Sequence, residues 1–344
     1  MLLEPNTLDP LGDVQSRVVM SAMTRGFADA DHCATADIAA YYGRRAADGV
    51  GLILTEGTIV DASGDGYNNV PHIQTAAQTE SWKQVTAAVH AEGGKIYSQL
   101  WHCGRISHSD FTGGDAPVSS TNEQAAGHNR QNDKPFGVPR ALETDEMPTI
   151  YEMFRLAARN AMEAGFDGVQ VHGGHGYLTD QFFDARVNDR TDRYGGSVEN
   201  RCRFALELLE TVLGEVGADK VMMRISPSRF MGELYDWPDL DEMIDYVIPA
   251  FQSLGLRMLD ISCANADYFA TSGRVIRTVR PMWDGLLIGG ASLTPDQANS
   301  ELNDGLLDMV TWGRRILTNP DFCQKVRAGD TLQDFDPAQL KTLE

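Results

Sequence analysis

Residues 145–177 read DEMPTIYEMFRLAARNAMEAGFDGVQVHGGHGY. The first part, through Gly165, sets apolar residues at helical spacing and stops on a glycine, a common helix end. Residues 167–172 (DGVQVH) then form a short, mostly apolar run of the kind a strand buried on both faces requires. Behind it, glycines space His172, His175 and Tyr177 along a loop. One unit therefore contains a helix, a buried strand and a loop bearing chemically capable side chains.

Similar apolar runs recur on both sides of it. Residues 17–22 (RVVMSA), 50–55 (VGLILT) and 95–101 (KIYSQLW) precede it. Residues 220–226 (KVMMRIS), 257–262 (RMLDIS), 285–289 (GLLIG) and 308–312 (DMVTW) follow. Most are separated by stretches of helical length. The stretch after Ser197 contains RFALELLETVL, and Thr294-Pro295 reads as a cap followed by proline at the first helical position. Eight strands with crossover helices predict an α/β fold, a single (β/α)8 TIM barrel occupying residues 1–344 as one domain. Residues 105–140, rich in Gly, Pro, Ser, Asn and Gln, interrupt the rhythm after the third strand and are expected to cover the active site.

Composition limits the function classes. The 49 acidic against 29 basic residues give a formal charge of −20, which disfavours nucleic acid and anionic membrane surfaces as partners. A well-solvated enzyme explains this charge, and adaptation to high salt is the sharper alternative, in keeping with the scarcity of lysine. Cys33, Cys103, Cys202, Cys263 and Cys323 are scattered and lack metal-site spacing, which is expected of reduced thiols in a cytoplasmic protein. The opening MLLEPNTLDPLGD has neither the basic start nor the apolar core of a signal peptide. Neither G-x-G-x-x-G nor a P-loop occurs, which argues against a Rossmann or P-loop nucleotide site.

In a TIM barrel the chemistry gathers at the C-terminal strand ends. Those ends carry Thr24-Arg25, Glu56-Gly57, Gln99 with Trp101 and His102, then His172, Arg224, Gly289-Gly290-Ala291 and Gly313-Arg314. The last two groups follow strands seven and eight, where such barrels often hold phosphate, unless these glycines only form tight turns. Three readings stay open for His172 and His175: metal ligation, loop structure, or donation to an oxygen on which negative charge builds. In the third, Tyr177 is placed to deliver a proton. The metal reading lacks further ligands at a useful spacing. Arg224 reads either as the partner of a buried carboxylate or as a stabiliser of an anionic ring.

Residues 171–183 (VHGGHGYLTDQFF) and 188–201 (NDRTDRYGGSVENR) resemble the signature of the Old Yellow Enzymes. Shorter matches keep the same order: MTR at 23–25, LTEG at 54–57, QLWHCGR at 99–105, WGR at 312–314 and NPD at 319–321. The resemblance implies an FMN-dependent ene-reductase with a ping-pong cycle. NADH or NADPH reduces the flavin, hydride then passes to an activated C=C bond of an enone or nitro compound, and Tyr177 protonates the neighbouring carbon. It further implies that His172 and His175 hold the substrate carbonyl and that Trp101 and Tyr67 belong to the substrate pocket. Ala22, Thr24, Gly57, Gln99 and Arg224 would hold the flavin ring, and Gly290, Ala291, Gly313 and Arg314 its phosphate. No metal is expected, and the partners are small molecules. Assembly of identical copies is left open. The alternatives are an amine-oxidising relative on the same barrel and a flavin-binding barrel without turnover. Two departures concern Ala22, where proline is frequent, and Ala291-Ser292, which falls where the family has two glycines. The closing VRAGDTLQDFDPAQLKTLE lacks the family's aromatic, glycine-rich tail. Residues 330–344 are therefore expected to hold no site residue, and the 105–140 insertion, with Phe111, Phe136 and Arg140, to supply that wall instead.

Overall fold

The computed structural model describes residues 1–230, 232–264 and 266–344. Eight parallel strands close into a barrel: β1 (Val18–Met20), β2 (Leu52–Ile59), β3 (Lys95–Trp101), β4 (Gly168–Gly173), β5 (Val221–Ile225), β6 (Met258–Ile261), β7 (Leu286–Gly290) and β8 (Met309–Trp312). Each pairs with its sequence neighbours, and β8 pairs with β1 to close the ring. All eight apolar runs thus become barrel strands in the expected order.

Nearly every strand residue is buried because both faces are covered. Inside, Val19, Leu52, Leu54, Tyr97, Met222, Met258, Ile288 and Met309 fill the barrel. Leu8, Leu11 and Val14, from an N-terminal hairpin (Asn6–Leu8 with Gly12–Val14), extend this cluster. Outside, the helices pack their apolar faces on the strands. They are α1 (Ala36–Asp48), α2 (Ala76–Ala91), α3 (Met147–Glu163), α4 (Leu178–Phe183), α5 (Val198–Val216), α6 (Leu240–Ser253), α7 (Ser272–Val279), α8 (Pro295–Asn303), α9 (Arg314–Thr318) and α10 (Phe322–Ala328). Thr35, Thr75, Ser197 and Thr294 cap four of them by accepting a backbone N–H of the first turn.

Three local features shape the C-terminal end of the barrel. A register shift in β2, where Leu54 faces Tyr97 but Gly57 faces Gln99, inserts an extra residue and displaces Glu56-Gly57. The 105–140 insertion folds over the end with its own hairpin (His128–Asn129 with Lys134–Pro135). A second hairpin, Ser228–Phe230 with Leu234–Asp236, follows β5 and was not expected from the sequence.

Candidate active site

A cavity of about 690 Å³ opens at the strand ends. Its volume is in the range typical of small-ligand sites. Ala22, Thr24, Gly57, Gln99, Trp101, His172, His175, Tyr177 and Arg224 line it, as do Gly290, Ala291, Gly313 and Arg314. Thirteen residues singled out along nearly 300 positions of sequence therefore meet on one surface. Tyr67 is not among the lining residues. It stands behind them, its hydroxyl 2.7 Å from that of Tyr177 and its ring 4.8 Å from Trp101.

Trp101 organises one wall of the cavity. Tyr177 meets its ring edge-on at 4.8 Å, and His172 lies 5.2 Å from Tyr177 and 5.3 Å from His175. Gly57 is required here, since a Cβ would come within 2.2 Å of the Trp101 ring. The loop after β4 is held from α4. The Asp180 carboxylate accepts the Gly176 N–H at 2.7 Å, and the Gln181 amide donates to the Gly176 carbonyl at 2.7 Å. Asp180 in turn pairs with Arg229 at 2.8 Å and accepts from Trp237 at 3.0 Å. These contacts explain the residues after Tyr177, which hold the loop after β4 from behind.

The floor is a buried polar chain. Gln99 donates to Gln170 at 2.7 Å, and Gln170 donates to Asp260 at 3.0 Å. Asp260 lies 3.3 Å from Arg224 Nε, an ion pair without hydrogen-bond alignment. Arg224 also donates to Ser21 at 3.1 Å and to Ser262 at 2.8 Å. Arg224 thus faces a buried carboxylate, as the first of its two sequence readings has it, and also lines the cavity. Gln170, Asp260 and Ser262 lay in strand runs and were read only as barrel.

Burial sets the protonation states. It drives the imidazoles of His172 and His175 well below their ordinary pKa, and the Arg224 cation adds to this. Both rings are therefore neutral near pH 7, and Nδ1 of His172 is buried without a partner. Burial also pushes the Tyr177 phenol well above its ordinary value, with Tyr67 and Cys103 adding to the shift, so it stays protonated. Among the described residues, four arginines (Arg130, Arg224, Arg314, Arg315) and no carboxylate line the cavity, in a chain of net charge −20.

The model of the NADH:flavin oxidoreductase / NADH oxidase family matches residues 1–333. The chain belongs to the Old Yellow Enzyme family. Among its relatives, 12-oxophytodienoate reductase 1 of Oryza sativa subsp. japonica is 37% identical over 352 residues, covering 99% of this chain and 90% of the relative. Among solved structures, the Old Yellow Enzyme homologue from Zymomonas mobilis superposes with a TM-score of 0.92 at 32% identity, covering 99% of this chain and 96% of that one. Morphinone reductase superposes at 0.90 with 35% identity, covering 98% and 92%. As a member of the Old Yellow Enzyme family, this protein is an FMN-dependent, NAD(P)H-linked ene-reductase acting on activated C=C bonds.

The cavity fits the family's cofactor. One end offers Arg224, Gln99 and Thr24 to a polar ring edge. The other offers Arg314 and Arg315 to an anion, and the buried Thr311 hydroxyl beside them lacks a partner. Gly290, at φ +145°, lies so close to β8 that a Cβ would come within 2.4 Å of the Thr311 carbonyl. Ala291 lines this end too, with its N–H bonded to the Thr311 carbonyl at 2.8 Å.

Two expectations are overturned. Residues 330–344 do reach the site: Phe335 and Leu340 line the cavity, and the Arg314 guanidinium lies 4.7 Å from the Phe335 ring. The insertion contributes Arg130 to the lining, whereas Phe111 and Phe136 are not part of it and Arg140 forms a forked pair with Glu146. A strand-end reading could not find Phe335 or Leu340, because Phe335 sits in an irregular stretch and Leu340 in a short 3-10 turn (Pro337–Lys341), both beyond the last strand. Among the described residues, the one cluster of three metal-capable side chains is His32, Asp65 and His72, outside the cavity lining. Within it, the two imidazoles stack at 3.9 Å and His72 pairs with Asp65 at 3.0 Å. Among the described residues, no helix is long and apolar enough to cross a membrane.

Proposed function

We propose that the ene-reductase chemistry is carried by His172, His175 and Tyr177, acting on α,β-unsaturated carbonyl or nitro compounds. The observation that supports this most is the placement of two neutral imidazoles beside a protonated phenol on one cavity wall. A neutral imidazole donates a hydrogen bond without bringing a proton of its own to titrate. Two of them favour the oxyanion that develops when electrons enter a conjugated carbonyl. Tyr177 then supplies the proton that the neighbouring carbon requires. Tyr67 lies within hydrogen-bond distance of the Tyr177 oxygen, and the Arg224 cation favours the phenolate left behind. FMN, when bound, carries the electron pair between NAD(P)H and this substrate.

Arg224, Gln99, Thr24, Ala22 and Gly57 hold the ring, and Gly290, Gly313 and Arg314 the phosphate end, with residues 1–344 acting as one FMN-binding unit. Trp101 walls the substrate pocket with Tyr67 behind it. Five unpaired cysteines, four of them buried, support a reducing, cytoplasmic setting. The test is anaerobic mixing of the reduced yellow protein with enones, nitroalkenes and amines. Rapid flavin reoxidation by the first two classes supports the reading. Reduction of the oxidised flavin by an amine, with no turnover of enones, would replace it with the amine-oxidising alternative.

A further inference from the structure

Glu56 is a buried carboxylate to which the chemistry above gives no task. It sits at the β2 bulge, 1% exposed, directly before the cavity-lining Gly57. Its Oε2 accepts the backbone N–H groups of Arg25 at 2.8 Å and Gly26 at 2.9 Å, in the turn that follows the cavity-lining Thr24. Its own N–H donates to the Tyr42 hydroxyl of α1 at 2.7 Å. One side chain therefore ties together the chain segments that present Thr24 and Gly57. The other carboxylate oxygen, Oε1, is buried with no partner.

The arginine beside it makes the complementary observation. Arg25 is 7% exposed, and among the described residues no ion pair includes it. Its Nη2 donates to the Gln339 carbonyl at 3.1 Å and to the Thr342 carbonyl, while Nε and Nη1 are buried without partners. Its guanidinium lies 5.4 Å from the Tyr41 ring. A buried cation whose side-chain hydrogen bonds go only to carbonyl dipoles needs a compensating charge nearby. Arg25 stabilises the Glu56 carboxylate, and each group lowers the cost of burying the other. The carbonyls that Arg25 holds belong to the segment carrying Leu340, just beyond Phe335, and both of these side chains wall the cavity.

We propose that Glu56 is a positioning residue whose negative charge keeps Arg25 clasped on residues 339–342, so that one carboxylate sets both the Thr24–Gly57 edge of the cavity and the wall formed by Phe335 and Leu340. The groups that face it are Arg25 from the β1 turn and Tyr41 and Tyr42 from α1. Burial outweighs the two N–H bonds and the Arg25 cation, raising the Glu56 pKa to about 7. Glu56 is therefore charged above neutrality and uncharged below it.

The sign of the pH effect separates this role from a merely structural one. With the folded pKa above the ordinary carboxylate value, Glu56 favours the folded state at low pH, and that contribution is lost as pH rises toward 7. The clasp runs the other way and tightens as pH rises. Hydrogen exchange of the FMN-loaded enzyme, read by mass spectrometry at about pH 6 and about pH 8.5 and corrected for intrinsic rates, reads the two separately. Protection of residues 333–344 should rise about tenfold with pH, the equivalent of one pKa unit. In Glu56→Gln, which keeps a carbonyl acceptor for the two N–H groups, tail protection should stay low and independent of pH. The Michaelis constant for a bulky enone should rise with little change in kcat. Arg25→Met should show the same low, flat tail protection with Glu56 intact, which gives a second reading if the Gln variant folds poorly. Wild-type pH dependence of the tail in Glu56→Gln, or wild-type protection in Arg25→Met, would overturn the proposal.

Discussion

On the wall built by β3 and β4, Trp101 and His172 are buried, Tyr177 is half-buried, and the loop that carries Tyr177 is fixed from behind by Asp180 and Gln181. On the wall built by β7, β8 and the C-terminal segment, Arg314 is exposed and its described aromatic contact, Phe335, sits in an irregular stretch. The first wall is more buried and braced by hydrogen bonds, so an imidazole or phenol there keeps one protonation state near pH 7. The second is open and cationic, suited to a strongly charged group that tolerates water. Reactive chemistry needs the first kind of surface, and anchoring a phosphate needs only the second.

This contrast sets an order of effects. Tyr177→Phe should have the largest, slowing enone reduction by about 10²–10⁴-fold while leaving flavin reduction by NAD(P)H nearly intact. Separate measurement of the two half-reactions checks this, and an equal loss in both would reduce Tyr177 to a structural residue. His172→Ala removes one of two donors and should cost about 10²–10³-fold in the same oxidative half-reaction. On the open wall the effects should be smaller. Arg314→Ala should weaken FMN binding by about 1.5 kcal/mol, the low end of the range for hydrogen bonds to charged groups, because the guanidinium is solvated. Fluorescence titration of released flavin gives this value, and a loss as large as that of Tyr177→Phe would erase the distinction between the walls. Smallest is Phe335→Ala, where loss of an exposed cation–π contact of about 0.5–1 kcal/mol predicts a two- to fivefold rise in FMN dissociation constant. Full insensitivity would return the tail to the bystander role that its sequence suggested.

The same contrast explains what could be read from the sequence. Strands buried on both faces are runs of apolar residues, so all eight were visible. His172, His175 and Tyr177 lie within six positions of one another, and their spacing survives folding as proximity. Thr24, Gln99, Arg224 and Arg314 were found because strand ends of a parallel barrel converge, so topology alone brings them together. Phe335, Leu340 and Arg130 belong to segments without periodicity, and nothing local tells an irregular segment where it will pack. Asp260 and Gln170 were hidden for a different reason: each is a single polar residue inside an apolar strand, and its partners are fixed only by inter-strand register. Ala291 was placed at the phosphate end from position, whereas the partner of its N–H, the Thr311 carbonyl, depends on a local dihedral, here φ +91°, that position does not give.

The central claim is that two neutral imidazoles hold an oxyanion. Titration of the FMN-loaded protein with a para-substituted phenol, followed across pH by its long-wavelength charge-transfer band, tests it most directly. A neutral pair must take the ligand as phenolate with release of its proton. Affinity should then rise about tenfold per pH unit below the phenol's own pKa. If the histidines instead accept the phenol's proton, no proton leaves the complex and affinity is independent of pH. A flat profile, or the absence of a band, would contradict the account.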